Sequence, residues 1–272
     1  MDLLNSIMEA LNGQMTEPEY FTSLSASWFH YLALLLMVIG MVLTITRLKG
    51  ASDAKVRKTV LGFAVVLIAF EIYKQLNYSY SNNWNYRWYA FPFQFCSTPM
   101  YVALLAGVIR KGRLQDALFA FLGTFGFFAG IAVMLYPATV FVDTIGINIQ
   151  TMVHHGGMAV LGIGLLANRV KPKSSSILSA MAVFTVLVVI ALSLNAWHNA
   201  FIQDGTFNMF FINPIYENDL PILSMVQPLV PFPVFLMVYV LGFTFVSYLM
   251  LLGRIGIGKL FGHAPEKALQ TA

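Results

Sequence analysis

Charged residues are scarce in this sequence, and cysteine is nearly absent. Asp, Glu, Lys and Arg make up only 10% of the 272 residues, whereas 58% are hydrophobic and the mean hydropathy is +0.72. A water-soluble domain of this size needs more charged surface, so the composition excludes that class and predicts a polytopic membrane protein. The single cysteine, Cys96, excludes an intramolecular disulfide, so its neighbours must decide what the thiol does.

Long apolar segments account for most of the chain. Seven of them approach the roughly 20 residues that a membrane-spanning helix needs. They cover about residues 25–47, 59–77, 92–110, 116–136, 149–168, 175–195 and 229–252. We therefore expect an all-α bundle of about seven transmembrane helices, forming one domain over residues 25–260 and followed by a cytoplasmic tail at 261–272.

Basic residues concentrate in the connections at one end of the predicted bundle. Of the 16 Lys and Arg residues, only Lys74 and Arg87 lie elsewhere. Short loops rich in Lys and Arg stay in the cytoplasm, so we expect the N terminus outside, the C terminus inside, and a location in the cell membrane. The net charge of +4 then reflects topology, and we predict no nucleic-acid partner.

The first residues lack the basic region that begins a signal peptide. Apolar residues recur there at helical spacing until Gly13: Leu3, Leu4, Ile7, Met8 and Leu11. This pattern predicts a short amphipathic helix and linker over residues 1–24, lying on the outer membrane surface. A frayed terminus is the alternative.

Glu71 and Lys74 lie inside the second apolar segment, where an ionised side chain at mid-bilayer costs about 2.5–3.5 kcal/mol. Their spacing allows them to pair along one helix face. At about 1.5 Å per residue, both lie within about 10 Å of the outer end of the segment. A snorkelling lysine with a satisfied partner explains the pair as well as a functional role does.

The third segment opens with Phe91-Pro-Phe-Gln-Phe-Cys96-Ser-Thr-Pro99. Proline is favourable at the first helical position, so we expect the helix to begin at Pro92 and to carry Cys96 in its second turn. Pro99 cannot donate to the carbonyl of Phe95, so the helix should be irregular beside the thiol. An inert buried cysteine is the ordinary alternative.

Two adjacent histidines, His154 and His155, lie in the fifth segment at a predicted membrane depth similar to that of Cys96. Neighbours on a helix point about 100° apart, so we expect only one of them to face a given site. They are poorly placed to share a metal ion, and no carboxylate or cysteine stands at ligand spacing. We therefore predict no metal and no other cofactor; satisfied structural histidines are the alternative.

The connection between the sixth and last segments is unusually apolar for a loop. It follows Asn195 and His198, contains Asn208, and continues to about Gln227. We predict that it closes the outer mouth of the bundle as a lid or re-entrant segment, because a solvated loop would not carry so many aromatic residues. Its polar residues are then expected to line a substrate site.

Four short motifs occur in a fixed order between residues 91 and 233. They are the apolar-Pro entry from Phe91 to Cys96, the pair His155-Gly156, Asn208-Met-Phe with Asn213-Pro214, and Pro231-Phe-Pro233. In this order the motifs resemble those of the YwaF-type branch of the transmembrane protein 164 family, a family of multi-spanning acyltransferases.

The resemblance implies an enzyme that moves a fatty acyl chain between phospholipids and lysophospholipids through a cysteine thioester. The nucleophile falls on Cys96 and the base on His155, with His154 as an additional histidine. Glu71, Lys74 and Gln94 are then candidates to orient or activate these groups, Gln94 as a donor to the developing oxyanion. The sequence indicates no oligomeric state.

Three other classes compete with an acyltransferase. A transporter would use the Glu71/Lys74 pair and the histidines as an ion relay, although we find no internal repeat. A lipid hydrolase would share the cysteine but let water attack the thioester. A retinal-binding receptor needs a lysine in the last span, and residues 229–252 contain none.

Overall fold

The computed structural model describes residues 2–260 and is nearly all-helical there. Its helices are α1 (Asp2–Leu11), α2 (Trp28–Leu48), α3 (Asp53–Tyr80), α4 (Thr98–Val108), α5 (Arg113–Phe121), α6 (Phe127–Leu135), α7 (Ile145–Asn168), α8 (Ser174–Phe201), α9 (Leu223–Val226) and α10 (Phe232–Leu260). An isolated bridge joins Gln14 to Thr144. The predicted all-α fold is confirmed, whereas the predicted tail at 261–272 lies outside the described residues.

Six helical stretches in the described range are long and apolar enough to cross a membrane. They are α2, α3, the continuous run of α5, a π-helical turn and α6 over Arg113–Leu135, then α7, α8 and α10. These correspond to six of the seven predicted segments.

The third predicted segment differs from the expectation. Its helix, α4, has 11 residues and begins at Thr98, so the prediction of a helix start at Pro92 is wrong. The N–H groups of Ser97 and Thr98 both donate to the carbonyl of Gln94 and fold this stretch into a turn. Pro99 then falls in the first turn of α4, where its missing N–H needs no partner.

The short helix α4 still carries the chain along the bundle, antiparallel to α3. Near its start, Met100 packs in one cluster with Leu67, and near its end Gly107 lies directly against Leu61. The missing side chain of Gly107 is what allows this close approach. The irregular residues 91–97 and α4 therefore return the chain along α3, and α4 beside the six spanning candidates brings the helix count close to the predicted seven.

The helix ends gather into two groups. At one end, which we call the basic end, Asp53 pairs with Lys111 and Arg169, and Asp116 pairs with Lys171. At the other, the Cys96 end, His30 near the start of α2 reaches the carbonyl of Met134 near the end of α6.

Helix α7 lies at the centre of the bundle. In its most apolar window 78% of the residues are buried, against 17% in α2 and 22% in α10, which present most of their surface outward. Polar side chains placed on α7 are therefore shielded by the surrounding helices, whereas apolar side chains on α2 and α10 are free to face lipid.

Candidate functional site

Cys96 lies immediately before α4 rather than inside it. Ser97 is the N-cap residue and Thr98 the first helical residue, so the thiol-bearing residue faces the positive end of the helix dipole. Cys96 is partly buried and packs beside the cluster formed by Leu67, Met100 and Met158. The thiol thus combines an apolar wall with a helix N-terminus.

His154 reaches the backbone of Cys96. Its Nε2 atom lies 2.9 Å from the Cys96 carbonyl oxygen. Because a carbonyl only accepts, Nε2 is the donor, and in the neutral ring Nδ1 carries the lone pair. Nδ1 is buried and contacts no hydrogen-bond partner among residues 2–260. His154 therefore fixes the backbone that carries the thiol.

His155 bonds to a different backbone carbonyl. Its Nδ1 donates to the carbonyl of Thr151, one turn earlier in α7, at 2.8 Å. In the neutral ring this leaves the lone pair on Nε2. The two imidazole rings lie 5.6 Å apart at an angle of 65°. The structure therefore links His154, the additional histidine, to the Cys96 backbone, and it orients His155 for proton acceptance through Nε2.

Glu71 and Lys74 form the predicted pair. The Lys74 ammonium lies 2.7 Å from Glu71 Oε1, and the two side chains are only 16% and 5% exposed, respectively. Gln75, which the sequence reasoning missed, donates to Glu71 Oε1 at 2.8 Å and to the carbonyl of Ala90 at 2.6 Å. Its i, i+4 spacing from Glu71 was the available signal. Glu71 Oε2 is buried without a partner in the described residues.

The buried ion pair belongs to the same layer as the thiol. On α3, Glu71 lies one turn from Leu67, whose cluster with Met158 packs against Cys96, and on α7 His154 lies one turn from Met158. Five residues that the sequence singled out separately thus meet toward the Cys96 end. Within residues 2–260, no three His, Cys, Asp or Glu side chains are grouped to hold a metal ion.

Gln94 ties the Cys96 segment to a buried turn at residues 207–213. Its Nε2 donates to the carbonyl of Asn208 at 3.0 Å, and its Oε1 accepts from the N–H of Phe210 at 3.0 Å. Both ends of the amide are thereby engaged with the backbone. In this arrangement Gln94 holds two segments together, 114 positions apart in sequence.

Asn195 and Asn208 hold the 207–213 turn itself. Asn195 accepts from the N–H of Met209 at 2.8 Å and donates to its carbonyl at 3.1 Å. Asn208 accepts from the N–H of Asn213 at 2.9 Å. The turn is buried, and Phe210 has a positive φ of 61°, which costs a non-glycine residue free energy. The apolar connection therefore enters the bundle, as the sequence predicted.

His198 lies beside the turn and away from the direct contacts of the thiol. Its ring stacks on Phe207 at 4.3 Å and meets the edge of Trp88 at 5.1 Å. Its Nε2 atom is buried and has no partner in the described range. Within residues 2–260, no hydrogen bond, ion pair or ring contact joins His198 to Cys96 or to the histidine pair.

Comparison with known proteins identifies the family. The model of the TMEM164 family matches residues 23–251, which is most of the chain and includes every residue of the candidate site. No curated protein and no solved structure matches the chain. A match of this length shows membership, and the chain therefore belongs to the TMEM164 family, whose members are membrane proteins.

Proposed function

We propose that this protein is a membrane lipid acyltransferase that uses Cys96 as nucleophile and His155 as general base. The observation that carries the proposal is the 2.9 Å contact between His154 and the Cys96 carbonyl, which brings the histidine pair to the thiol-bearing segment. Phospholipids would donate the acyl chain and lysophospholipids would accept it. The cell membrane would supply both.

The two histidines support different roles. His155 donates through Nδ1 to a carbonyl and keeps a lone pair on Nε2, the arrangement that a general base needs. His154 donates its Nε2 proton to the Cys96 carbonyl, so we assign it the role of positioning the Cys96 backbone. In this assignment the base and the positioning residue are neighbours on one helix turn.

Two features favour a thiolate at Cys96. The N-terminus of α4 lies just beyond Cys96 with its positive dipole end, and the positive charge of the Lys74 ammonium favours an anion at the thiol. Both act against burial in the apolar wall, which is the larger effect, and against the Glu71 carboxylate, since these two disfavour an anion. Glu71 keeps Lys74 at this depth through the 2.7 Å ion pair.

In the first half-reaction, His155 Nε2 takes the proton of the Cys96 thiol, and the sulfur attacks the ester carbonyl carbon of a phospholipid. The carbon–oxygen ester bond then breaks. The imidazolium returns the proton to the departing glycerol oxygen, so the products are a Cys96 thioester and a lysophospholipid.

In the second half-reaction, a lysophospholipid hydroxyl gives its proton to His155 and attacks the thioester carbonyl. The carbon–sulfur bond breaks, the proton returns to the sulfur, and a new phospholipid leaves. In both halves negative charge develops on the carbonyl oxygen. The Cys96 N–H, which donates to no carbonyl in the described residues, and Lys74 are the donors we propose for it.

The proposal is tested by lipid mass spectrometry on the purified protein in lipid nanodiscs, with an isotope-labelled lysophospholipid as acceptor. We expect labelled phospholipid from the wild type and none from Cys96→Ala. We also expect an acyl adduct on Cys96 that hydroxylamine removes. Free fatty acid formed independently of acceptor would indicate a hydrolase instead, and no lipid product at all would contradict enzymatic function.

The roles of the histidines are separated by glutamine variants, because glutamine can replace an N–H donor but not a base. We expect His154→Gln to retain much of the transfer rate and His154→Leu to lose most of it, since only the former can donate to the Cys96 carbonyl. His155→Gln should be as inactive as Cys96→Ala. If His154→Gln were inactive and His155→Gln active, His154 would be the base and His155 the positioning residue, which is the reverse of our assignment.

A further inference from the structure

Helix α1 has three distinct faces, and one of them is unexplained by packing. At about 100° per residue, Asn5, Met8 and Asn12 share one face of the helix. Glu9 lies on a second face and is exposed. The third face carries four apolar side chains that are all exposed: Leu3, Leu4, Ile7 and Leu11, at 76%, 36%, 46% and 48%.

The first face fixes α1 to the bundle. Asn5 accepts from the Trp84 indole at 2.8 Å, and Met8 is 1% exposed. Asn12 accepts from Asn77 at 3.0 Å, and Tyr73 on α3 donates to the carbonyl of Leu11 at 3.1 Å. The orientation of the exposed apolar face is therefore set by specific contacts to α3 and to the loop that follows it.

Apolar side chains next to the residues that hold α1 are exposed as well. On α3, Ile72 and Leu76 lie beside the residues that hold α1, and they are 55% and 38% exposed. On α7, the N–H of Ile145 donates to the carbonyl of Gly13 at 3.0 Å, and Ile145 is 39% exposed. Since α3 and α7 are membrane-spanning candidates, the apolar face of α1 lies between two outward apolar surfaces at one end of the bundle.

We infer that α1 is an in-plane membrane helix whose Leu3, Leu4, Ile7 and Leu11 face enters the lipid boundary while Glu9 faces water. An amphipathic helix of this kind buries its apolar face about 5–10 Å into the headgroup and acyl boundary. The aromatic residues that hold it, Tyr73 and Trp84, are types enriched at that depth. The partner of this surface is the lipid itself.

The single native cysteine makes this inference directly testable. In a Cys96→Ser background, Leu3→Cys and Glu9→Cys carry an environment-sensitive fluorophore on different faces of α1, and Leu241→Cys on α10 serves as the exposed apolar reference. The labelled full-length chains are placed in phosphatidylcholine nanodiscs. Quenching is measured with a nitroxide at a shallow acyl position and, separately, with aqueous iodide.

We expect the Leu3 label to be blue-shifted and quenched by the lipid nitroxide several-fold more than the Glu9 label, which iodide should quench instead. An Ile7→Cys label should behave like the Leu3 label. Equal iodide quenching at positions 3 and 9 would overturn the inference. Protection of position 3 from both quenchers, with cross-linking between copies at Leu3→Cys, would assign the face to a second copy and overturn it as well.

Discussion

The two ends of the bundle both carry ion pairs, but the paired side chains differ in how exposed they are. At the basic end, Lys111 and Asp53 are 75% and 44% exposed, and Lys171 and Asp116 are 63% and 52% exposed. Toward the Cys96 end, Lys74 and Glu71 are 16% and 5% exposed, and Glu71 Oε2 has no partner in the described residues. These two basic-end pairs are solvated, whereas Arg169, which also pairs with Asp53, is mostly buried there at 22% exposure. The charges near Cys96 are both enclosed.

This contrast in exposure indicates which end of the bundle is the better candidate for a reactive site. An exposed ion pair needs no function, because water solvates both partners at little cost. An enclosed pair within a spanning helix is expensive, and polar atoms left without a partner add to that cost. The combination of Glu71, Lys74 and the histidine pair around Cys96 is what a reactive site requires, and the basic end lacks it.

The largest expected effect on stability comes from breaking the enclosed pair. Glu71→Gln leaves the Lys74 ammonium uncompensated and should lower the free energy of unfolding by about 3–5 kcal/mol. Unfolding of the purified protein in detergent, followed by the loss of helical circular dichroism, measures it.

The double variant Glu71→Gln with Lys74→Met is the matched control for the enclosed pair. It removes both charges and should recover most of the lost stability, because no uncompensated charge remains. A double variant as unstable as the single one would show that the pair does not act through charge.

An intermediate effect is expected at the link between the Cys96 segment and the 207–213 turn. Gln94→Leu removes the amide and leaves the buried N–H of Phe210 and the carbonyl of Asn208 without this partner, which should cost about 1–3 kcal/mol. The same unfolding measurement applies. Gln203→Leu, which loses a hydrogen bond at an exposed site, is the control and should change stability little.

The smallest effect is expected at the basic end. Asp116→Asn removes the 3.1 Å pair with Lys171, and we expect a change of at most about 1 kcal/mol because both side chains are largely exposed. Raising the salt concentration should reduce even this difference. A loss as large as that of Glu71→Gln would mean that the contrast between the two ends does not reflect enclosure.

Local features of the site followed from the sequence because their partners are close along one helix. The pairing of Glu71 with Lys74 depends only on a three-residue spacing, and the structure confirms it. The start of α4 did not follow, because the turn closed by the Gln94 carbonyl competes with the helical preference of Pro92. Pro92 favours a helix start at that residue, but the two hydrogen bonds to the Gln94 carbonyl form a turn there instead, and the helix begins at Thr98.

Contacts across helices were beyond the reach of sequence reasoning. Which histidine meets the Cys96 carbonyl depends on how α7 is rotated against α4, and the two residues are 58 positions apart. The attachment of Gln94 to the 207–213 turn depends on the path of a connection that re-enters the bundle. Neither rotation nor path is encoded in spacing along one segment.

Composition and segment length are enough to identify a helical membrane protein, and the positions of the polar residues show which of them its apolar segments must accommodate. Hydrophobic length fixes the spans, because only a helix satisfies its own backbone in lipid. The sequence also placed Cys96, His154 and the Glu71/Lys74 pair at similar depth, but only the folded bundle shows that they are enclosed and that His154 bonds to the Cys96 backbone. The reason is that helix rotation and burial follow from side-chain packing over the whole bundle, which no single segment contains.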